Sequence, residues 1–286
     1  MMLSIAQALR TGVEQCIIEN DPYANPSIDA QCLLCAVLDC NRAYLHTWPD
    51  KNLSEAQSNA FFKLLKQRQT GQPIAYILGY QNFYGYDFAV SPATLIPRPE
   101  TEQCVELVLA QPHIKRVLDL GTGSGAIAIS ICLERPELEV IGVDFVPEAV
   151  TLAQQNAQHL APESNITIKL SDWFSHVDGK FDVIVSNPPY VEPDSPYLTQ
   201  GDIRFEPDTA LTASDHGLAD IKTIVSKSTN YLNQNAMLIL EHGHTQGHII
   251  RQLMTQNGFT NVTTLCDYAG QPRITLGEYT ISSNTK

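Results

Sequence analysis

No apolar run in the 286-residue chain approaches the roughly 20 residues that a membrane-spanning helix requires, so no membrane partner is expected. The first residues, MMLSIAQALRTGVEQCIIEN, lack a basic stretch followed by an apolar core, and the expected address is cytoplasmic. The cysteines (Cys16, Cys32, Cys35, Cys40, Cys104, Cys132 and Cys266) are odd in number and scattered, which argues against a disulfide framework. Cys32-x-x-Cys35 lies near Cys40 and His46, but no second cysteine pair follows and AQCLLCAVL reads as a buried helix face, so no metal is expected. Basic charge is scarce. Eighteen Lys and Arg against 31 Asp and Glu leave a net charge of -13, with a sequence pI of about 4.9. A protein that grips nucleic acid through its phosphates needs a basic face, so no direct nucleic-acid binding is expected. A basic protein surface would instead be attracted.

What is present fits a globular protein: 43% hydrophobic and 17% charged residues place the chain outside the disordered class. Its length suits one medium domain and a smaller one. LSIAQALRTGVEQCI and SIDAQCLLCAVL carry apolar residues at helical spacing, and Ser54-Glu-Ala-Gln57 has the form of a capping box opening a third helix through Leu65. Two β-like runs, QNFYG and YDFAV, follow. The expected organisation is a helical, substrate-docking domain over residues 1–75, a β-hairpin connector over 76–97 and an α/β domain over 98–286. In that last part apolar strands (116–120, 138–143, 166–170, 181–186 and 236–240) alternate with amphipathic helices before two closing strands near 262–265 and 274–280. The pattern predicts a doubly wound, seven-stranded, mostly parallel sheet covered on both faces.

Three segments carry the chemistry. Asp119-Leu-Gly-Thr-Gly-Ser-Gly-Ala126 joins the first strand to a helix, where glycines let the backbone turn sharply and approach a ligand at a helix N-terminus. Asp144 ends the second strand, where a carboxylate can accept from both ribose hydroxyls. Together these predict a nucleoside site, which leaves a nicotinamide dinucleotide and S-adenosylmethionine both open. Asn187-Pro-Pro-Tyr190, after the fourth strand, decides for the second. Its prolines supply a rigid frame without N–H groups, so that Asn187 and the Pro188 carbonyl can accept from both N–H groups of an amide or exocyclic amine. Tyr190 adds an aromatic surface for a flat group and for positive charge developing on the nitrogen.

With those segments the chain resembles the bacterial glutamine N5-methyltransferases of class-1 peptide release factors. The likeness runs over nearly the whole chain. It includes Gly71-x-Pro73-x-x-Tyr76-Ile-Leu-Gly79, Phe83-Tyr-Gly85, Ile96-Pro-Arg-Pro-Glu-Thr-Glu102, the glycine loop, Asp172-Trp-Phe174, Asn187-Pro-Pro-Tyr190, Glu206-Pro207 and Asp267-x-x-Gly270-x-x-Arg273. The resemblance implies a class I S-adenosylmethionine-dependent methyltransferase with a small helical N-terminal domain. It implies that Gly121, Thr122, Gly123, Ser124 and Gly125 hold the methionine part of the cofactor, Asp144 its ribose and Trp173 its adenine. Asn187 would touch both cofactor and substrate, with Asn187 and Tyr190 as the catalytic pair and Pro188, Pro189 and Tyr190 completing a glutamine pocket. Asp119 would reach the cofactor's ammonium through water, and Asp172 would contact the adenine amino group or cap a turn. The implied partner is a class-1 release factor, methylated in its Gly-Gly-Gln loop.

His242, His244 and His248 depart from the family's pattern, although Glu241, Gly243 and Gln246 satisfy it; the histidines are expected on an exposed strand-to-helix loop. Rival readings are an adenine-N6 methyltransferase, whose target nitrogen has the same two donors, a nicotinamide oxidoreductase, which leaves Asn-Pro-Pro-Tyr without a use, and a factor that binds release factors without turnover.

Overall fold

The computed structural model describes residues 3–17 and 24–280. They divide into two compact units, one of the residues up to Tyr80 together with Pro196–Phe205, the other of Gln81–Ser195 and the residues from Glu206 onward.

In the first unit α1 (Ile5–Gln15) starts with a capping box between Ser4 and Gln7, and α2 (Pro26–Leu38) with Asn25 as its cap and proline in its first turn. A short α3 (Arg42–Thr47) leads to α4 (Glu55–Gln69), where Ser54 and Gln57 form the expected capping box. The helix runs one turn past Leu65. Ile5, Leu33, Leu34, Leu45, Phe61 and Leu65 form the buried core. Residues 76–78, read from sequence as connector, instead finish a helix α5 (Ile74–Leu78), which ends at Gly79 in the left-handed conformation. Buried Arg68 holds Asp29 with Nε and Asp202 with an η nitrogen, each at 2.8 Å. Asp202 lies far along the chain, and this ion triad fastens Pro196–Phe205 to the helices. Nothing in local sequence marks that segment as part of the helical unit.

The second unit contains the hairpin strands β1 (Tyr80–Phe83) and β2 (Tyr86–Ala89). Tyr84 and Gly85 both have positive φ between them, the geometry of a tight two-residue hairpin turn. A 3-10 turn over Pro99–Thr101 leads into α6 (Glu102–Leu109). Then follow β3 (Arg116–Leu120), α7 (Ala126–Glu134), β4 (Glu139–Asp144), α8 (Pro147–Leu160), β5 (Ile166–Leu170) and β6 (Phe181–Ser186). A short helical turn, α9 (Asp208–Leu211), and a tight turn α10 (Ser214–Gly217) with Asp215 and His216 in the left-handed region precede α11 (Ala219–Ser228), β7 (Leu232–Glu241), α12 (Gly247–Gln256), β8 (Phe259–Cys266) and β9 (Pro272–Tyr279). Strand β7 begins four residues earlier than the apolar run 236–240 suggests, because Leu232 already pairs with Phe181.

The seven-stranded sheet has the order β5-β4-β3-β6-β7-β9-β8. Only β9 runs against the common direction, antiparallel to both β7 and β8. One face packs on α6, α7 and α8 through residues such as Val105, Ile131 and Val150, the other on α11 and α12 through Ile221, Ile224, Ile250 and Met254. Burial on both faces explains the near-continuous apolar strands. Chain direction across the sheet reverses between β3 and β6. That is the topological switch point, and the carboxyl ends of β3, β4 and β6 meet there.

Candidate active site

A cavity of about 540 Å³ opens at this switch point. Its glycine-loop wall is built by the strands themselves. The backbone N–H groups of Gly121 and Thr122 both donate to the Val143 carbonyl at 2.9 Å, folding the loop back over β4. Asp144 completes the fold: Oδ2 accepts from Gly123 N at 2.9 Å and Oδ1 from Val146 N at 3.0 Å. Burial raises the Asp144 pKa, and these backbone donors oppose the rise. Each carboxylate oxygen keeps a further lone pair, so the residue can both pin the loop and accept from a diol.

Gly121 and Gly123 line the cavity with φ of +72° and +56°. A Cβ on either would meet only cavity-lining side chains, Trp173 at 3.6 Å or Thr94 at 4.0 Å, so the missing methyl groups widen the cradle. Thr122 and Ser124 also line it. Gly125 does not. It caps α7 with φ +85°, and a Cβ there would strike Ile129 at 2.6 Å, so packing explains this glycine better than ligand contact does.

Aromatic and acidic groups form the far wall. Trp173 has φ +48° and is held by Ser171, whose Oγ donates to its carbonyl at 2.8 Å, while neighbouring Phe174 stacks on Tyr231 at 4.6 Å. Its side chain hydrogen-bonds to Asp220, another wall residue. Asp172 lines the cavity too. Phe145, directly after Asp144, is half exposed at the same wall, and sequence reading missed it. Flat faces at Phe145 and Trp173, a free acceptor pair on Asp144 and a glycine cradle together fit the adenosine and methionine parts of S-adenosylmethionine.

Asp119 lies beneath the loop, fully buried and off the cavity wall. Oδ2 accepts from Thr122 Oγ1 at 2.7 Å. Burial pushes its pKa up to about 7; the Thr122 hydroxyl and the Ala128 N–H oppose the rise and the Asp144 charge adds to it.

Asn187 and Pro189 reach the cavity at the end of β6, whereas Pro188 is buried and Tyr190 stands back from the wall. The segment is held from a distance. Asn187 Nδ2 donates to Thr101 Oγ1 at 3.1 Å, and Thr101 Oγ1 donates to Glu241 Oε2 at 2.7 Å. Glu241 is buried, which pushes its pKa up to about 7 against the Thr101 hydrogen bond. At the other end Gln246 Nε2 donates to the Tyr190 carbonyl at 3.0 Å, while its Oε1 accepts from Gly243 N at 2.9 Å. Gly217, with φ +74°, lies so close that a Cβ would sit 2.1 Å from the Tyr190 carbonyl oxygen.

The Pro-Arg-Pro-Glu-Thr-Glu run is the hub of these contacts. Arg98 pairs with buried Glu206, which also accepts from Ile96 N at 3.3 Å; Glu102 accepts from Tyr84 N at 2.7 Å. Glu206-Pro207 thereby places Asp208, Thr209 and Ala210 on the wall. Asp267 closes the β8–β9 turn by accepting from Ala269 N, Gln271 N and Arg273 Nε.

His242 is not on an exposed loop. It continues the pairing of β7 with β9, donates from Nδ1 to the Gly243 carbonyl at 2.9 Å and meets Thr275 Oγ1 with Nε2 at 2.8 Å. Burial lowers its pKa to about 4. His244 and His248 are exposed.

Residues 113–271 match the family model of a methyltransferase domain, and residues 8–79 that of the PrmC N-terminal domain. The release factor glutamine methyltransferase of Aliivibrio fischeri is 44% identical over 99% of this chain and 100% of its own. That of Escherichia coli K12 is 48% identical over 89% of this chain and 93% of its own. Among solved structures, a methyltransferase from Pyrococcus furiosus matches with a TM-score of 0.54 and 18% identity, covering 70% of this chain and 91% of that one, a likeness of fold. No helix among the described residues is long and apolar enough to cross a membrane.

Proposed function

The chain belongs to the release factor glutamine methyltransferase family, and from that premise we propose that it methylates the side-chain N5 of the glutamine in the Gly-Gly-Gln motif of class-1 peptide release factors. S-adenosylmethionine, when bound, supplies a sulfonium methyl carbon that a nitrogen can take while losing one proton. The observation that carries the reading is the position of Asn187 and Pro189 on the wall of the same cavity as the glycine loop and Asp144. Gly121, Thr122, Gly123 and Ser124 would cradle the methionine part, Asp144 the ribose, and Trp173 with Phe145 the adenine.

Asn187 Oδ1 and the Pro188 carbonyl would accept from the two N–H groups of the glutamine amide. Resonance makes that nitrogen a poor nucleophile, so the protein contributes position and charge stabilisation rather than a strong base. The reacting nitrogen becomes acidic only as the new bond forms, so a strong base is not required before methyl transfer. Tyr190 would act from behind this frame, its carbonyl fixed by Gln246. The helical unit would hold the remainder of the factor, and the enzyme would work in the cytoplasm.

The test is mass spectrometry of a purified release factor after incubation with enzyme and S-adenosylmethionine, beside adenine-containing DNA and RNA at equal concentration. The expected outcome is one added methyl group on the glutamine of the factor. Methylation of nucleic acid but not of the factor would favour the adenine reading, against which the net charge of -13 already stands. A peptide carrying only the Gly-Gly-Gln loop should be a much poorer substrate than the whole factor, because remote binding energy is lost. Equal rates on the two would remove the docking role.

A further inference from the structure

A threonine hydroxyl has one proton to donate, and its direction decides what Thr101 can offer Asn187. An ionised carboxylate only accepts. Thr101 therefore gives its proton to Glu241 Oε2 at 2.7 Å and has a lone pair left, which takes Asn187 Nδ2 at 3.1 Å. A carboxamide turned by half a rotation would set Asn187 Oδ1 against that lone pair, exchanging a hydrogen bond for repulsion. We propose that Glu241 and Thr101 are positioning residues for methyl transfer, setting the Asn187 carboxamide with Oδ1, not Nδ2, toward the reacting nitrogen.

The inference rests on the functional reading above and deepens it. An amide nitrogen brings two N–H donors, so an Asn187 that presented Nδ2 would set donor against donor. The orienting contacts span the fold: Thr101 opens α6, Glu241 ends β7 and Asn187 follows β6. Thr101 and Glu241 are 5% and 1% exposed, so water does not compete for the pattern.

Charge around Glu241 is mixed. Arg273 from β9 and Arg98 from the preceding loop favour its ionised form, Glu100 opposes it, and Cys104 on α6 is a buried thiol facing it. Burial outweighs the arginines and holds the carboxyl up to about 7. A protonated Glu241 can donate to Thr101, which frees the threonine proton for Asn187 Oδ1 and removes the preference. The turnover rate should therefore fall as the pH drops through about 7, and the fall should belong to Glu241.

The experiment measures kcat, KM for a release factor, cofactor affinity by calorimetry and melting temperature for wild type, Thr101→Val, Thr101→Ser and Glu241→Gln. Thr101→Val should lower kcat by about tenfold or more with cofactor affinity nearly unchanged, and Thr101→Ser should recover most of the loss. Glu241→Gln should lose the acid-side fall that wild type shows. A wild-type kcat in Thr101→Val, equal defects in the valine and serine variants, or parallel loss of cofactor binding would overturn the proposal. If the valine variant does not fold, the wild-type and Glu241→Gln pH profiles decide alone, and identical profiles reject it. A wild type inactive on the factor would refute the functional reading; an active wild type with an equally fast Thr101→Val refutes only the positioning role.

Discussion

The two halves of the cavity are held in different ways. The glycine loop is fixed by its own neighbourhood: its N–H groups reach the adjacent strand end at Val143, and Asp144 at that end receives Gly123. The Asn-Pro-Pro-Tyr segment is held by side chains from remote parts of the chain. Thr101 lies 86 positions from Asn187, Glu241 lies 140 from Thr101, and Gln246 lies 56 from Tyr190. A cofactor cradle of this kind comes with the strand-turn-helix unit itself. The wall at Asn187 depends on the packing of the entire α/β unit. Damage to the first half should appear in cofactor affinity, and damage to the second in turnover.

The sharpest separation should come from Asn187→Ala, which is expected to lower kcat on the order of 100-fold through misplacement of the reacting nitrogen. Cofactor affinity and melting temperature should change little. Calorimetry showing that the variant loses its cofactor as well would erase the distinction between the halves. Asp144→Ala is the converse case. Losing a charge-assisted pair should weaken S-adenosylmethionine binding by about 1.5–3 kcal/mol. Because Asp144 also anchors Gly123, part of that loss would come from a loosened loop. An unchanged dissociation constant in a folded variant would remove Asp144 from the site.

A smaller effect is expected from Gln246→Ala, which frees the Tyr190 carbonyl without touching the cavity wall. Turnover should drop by about tenfold, the scale of one or two lost part-buried hydrogen bonds. Steady-state kinetics at saturating cofactor would check this, and full activity would show that Gly217 and the prolines suffice to place Tyr190. The smallest effect concerns pH and the loop half alone. Asp119 is raised from an ordinary 3.8 to about 7, so across that window the folded protein holds a proton that the unfolded chain has released. Its contribution to stability therefore falls as pH rises, by at most about 1.4 kcal/mol per pH unit for one proton. Asp119→Asn should remove this fall. His242, lowered to about 4, works in the opposite direction below 6.5, so the comparison is best made between pH 6.5 and 7 on the difference between variant and wild type. Parallel denaturation midpoints over that interval would contradict the assignment.

Much of the loop half could be read from the sequence. Glycines between an apolar strand and a helix, with an acidic residue closing the next strand, depend on spacing alone, and a mostly parallel sheet covered on both faces follows from alternating strands and helices. Gly125 shows the limit: its spacing matches its neighbours, but only packing reveals that it answers to Ile129 and α7. Phe145 escaped because an exposed phenylalanine after a strand has no periodic signature. On the other half, the resemblance had already singled out the Pro-Arg-Pro-Glu-Thr-Glu run, Glu206-Pro207 and Glu241-x-Gly243-x-x-Gln246 as motifs without saying what they touch.

The sequence by itself therefore determined the family and most of the elements, because periodicity and motif spacing are properties of a chain in order. Only the tertiary structure decided that Arg68 draws Pro196–Phe205 into the helical unit, that His242 is buried and neutral, and that Thr101 connects Asn187 to Glu241. Those facts are pairings of buried and half-buried polar groups. A buried donor must find an acceptor somewhere, and which one it finds is set by how distant elements pack, not by the residues beside it.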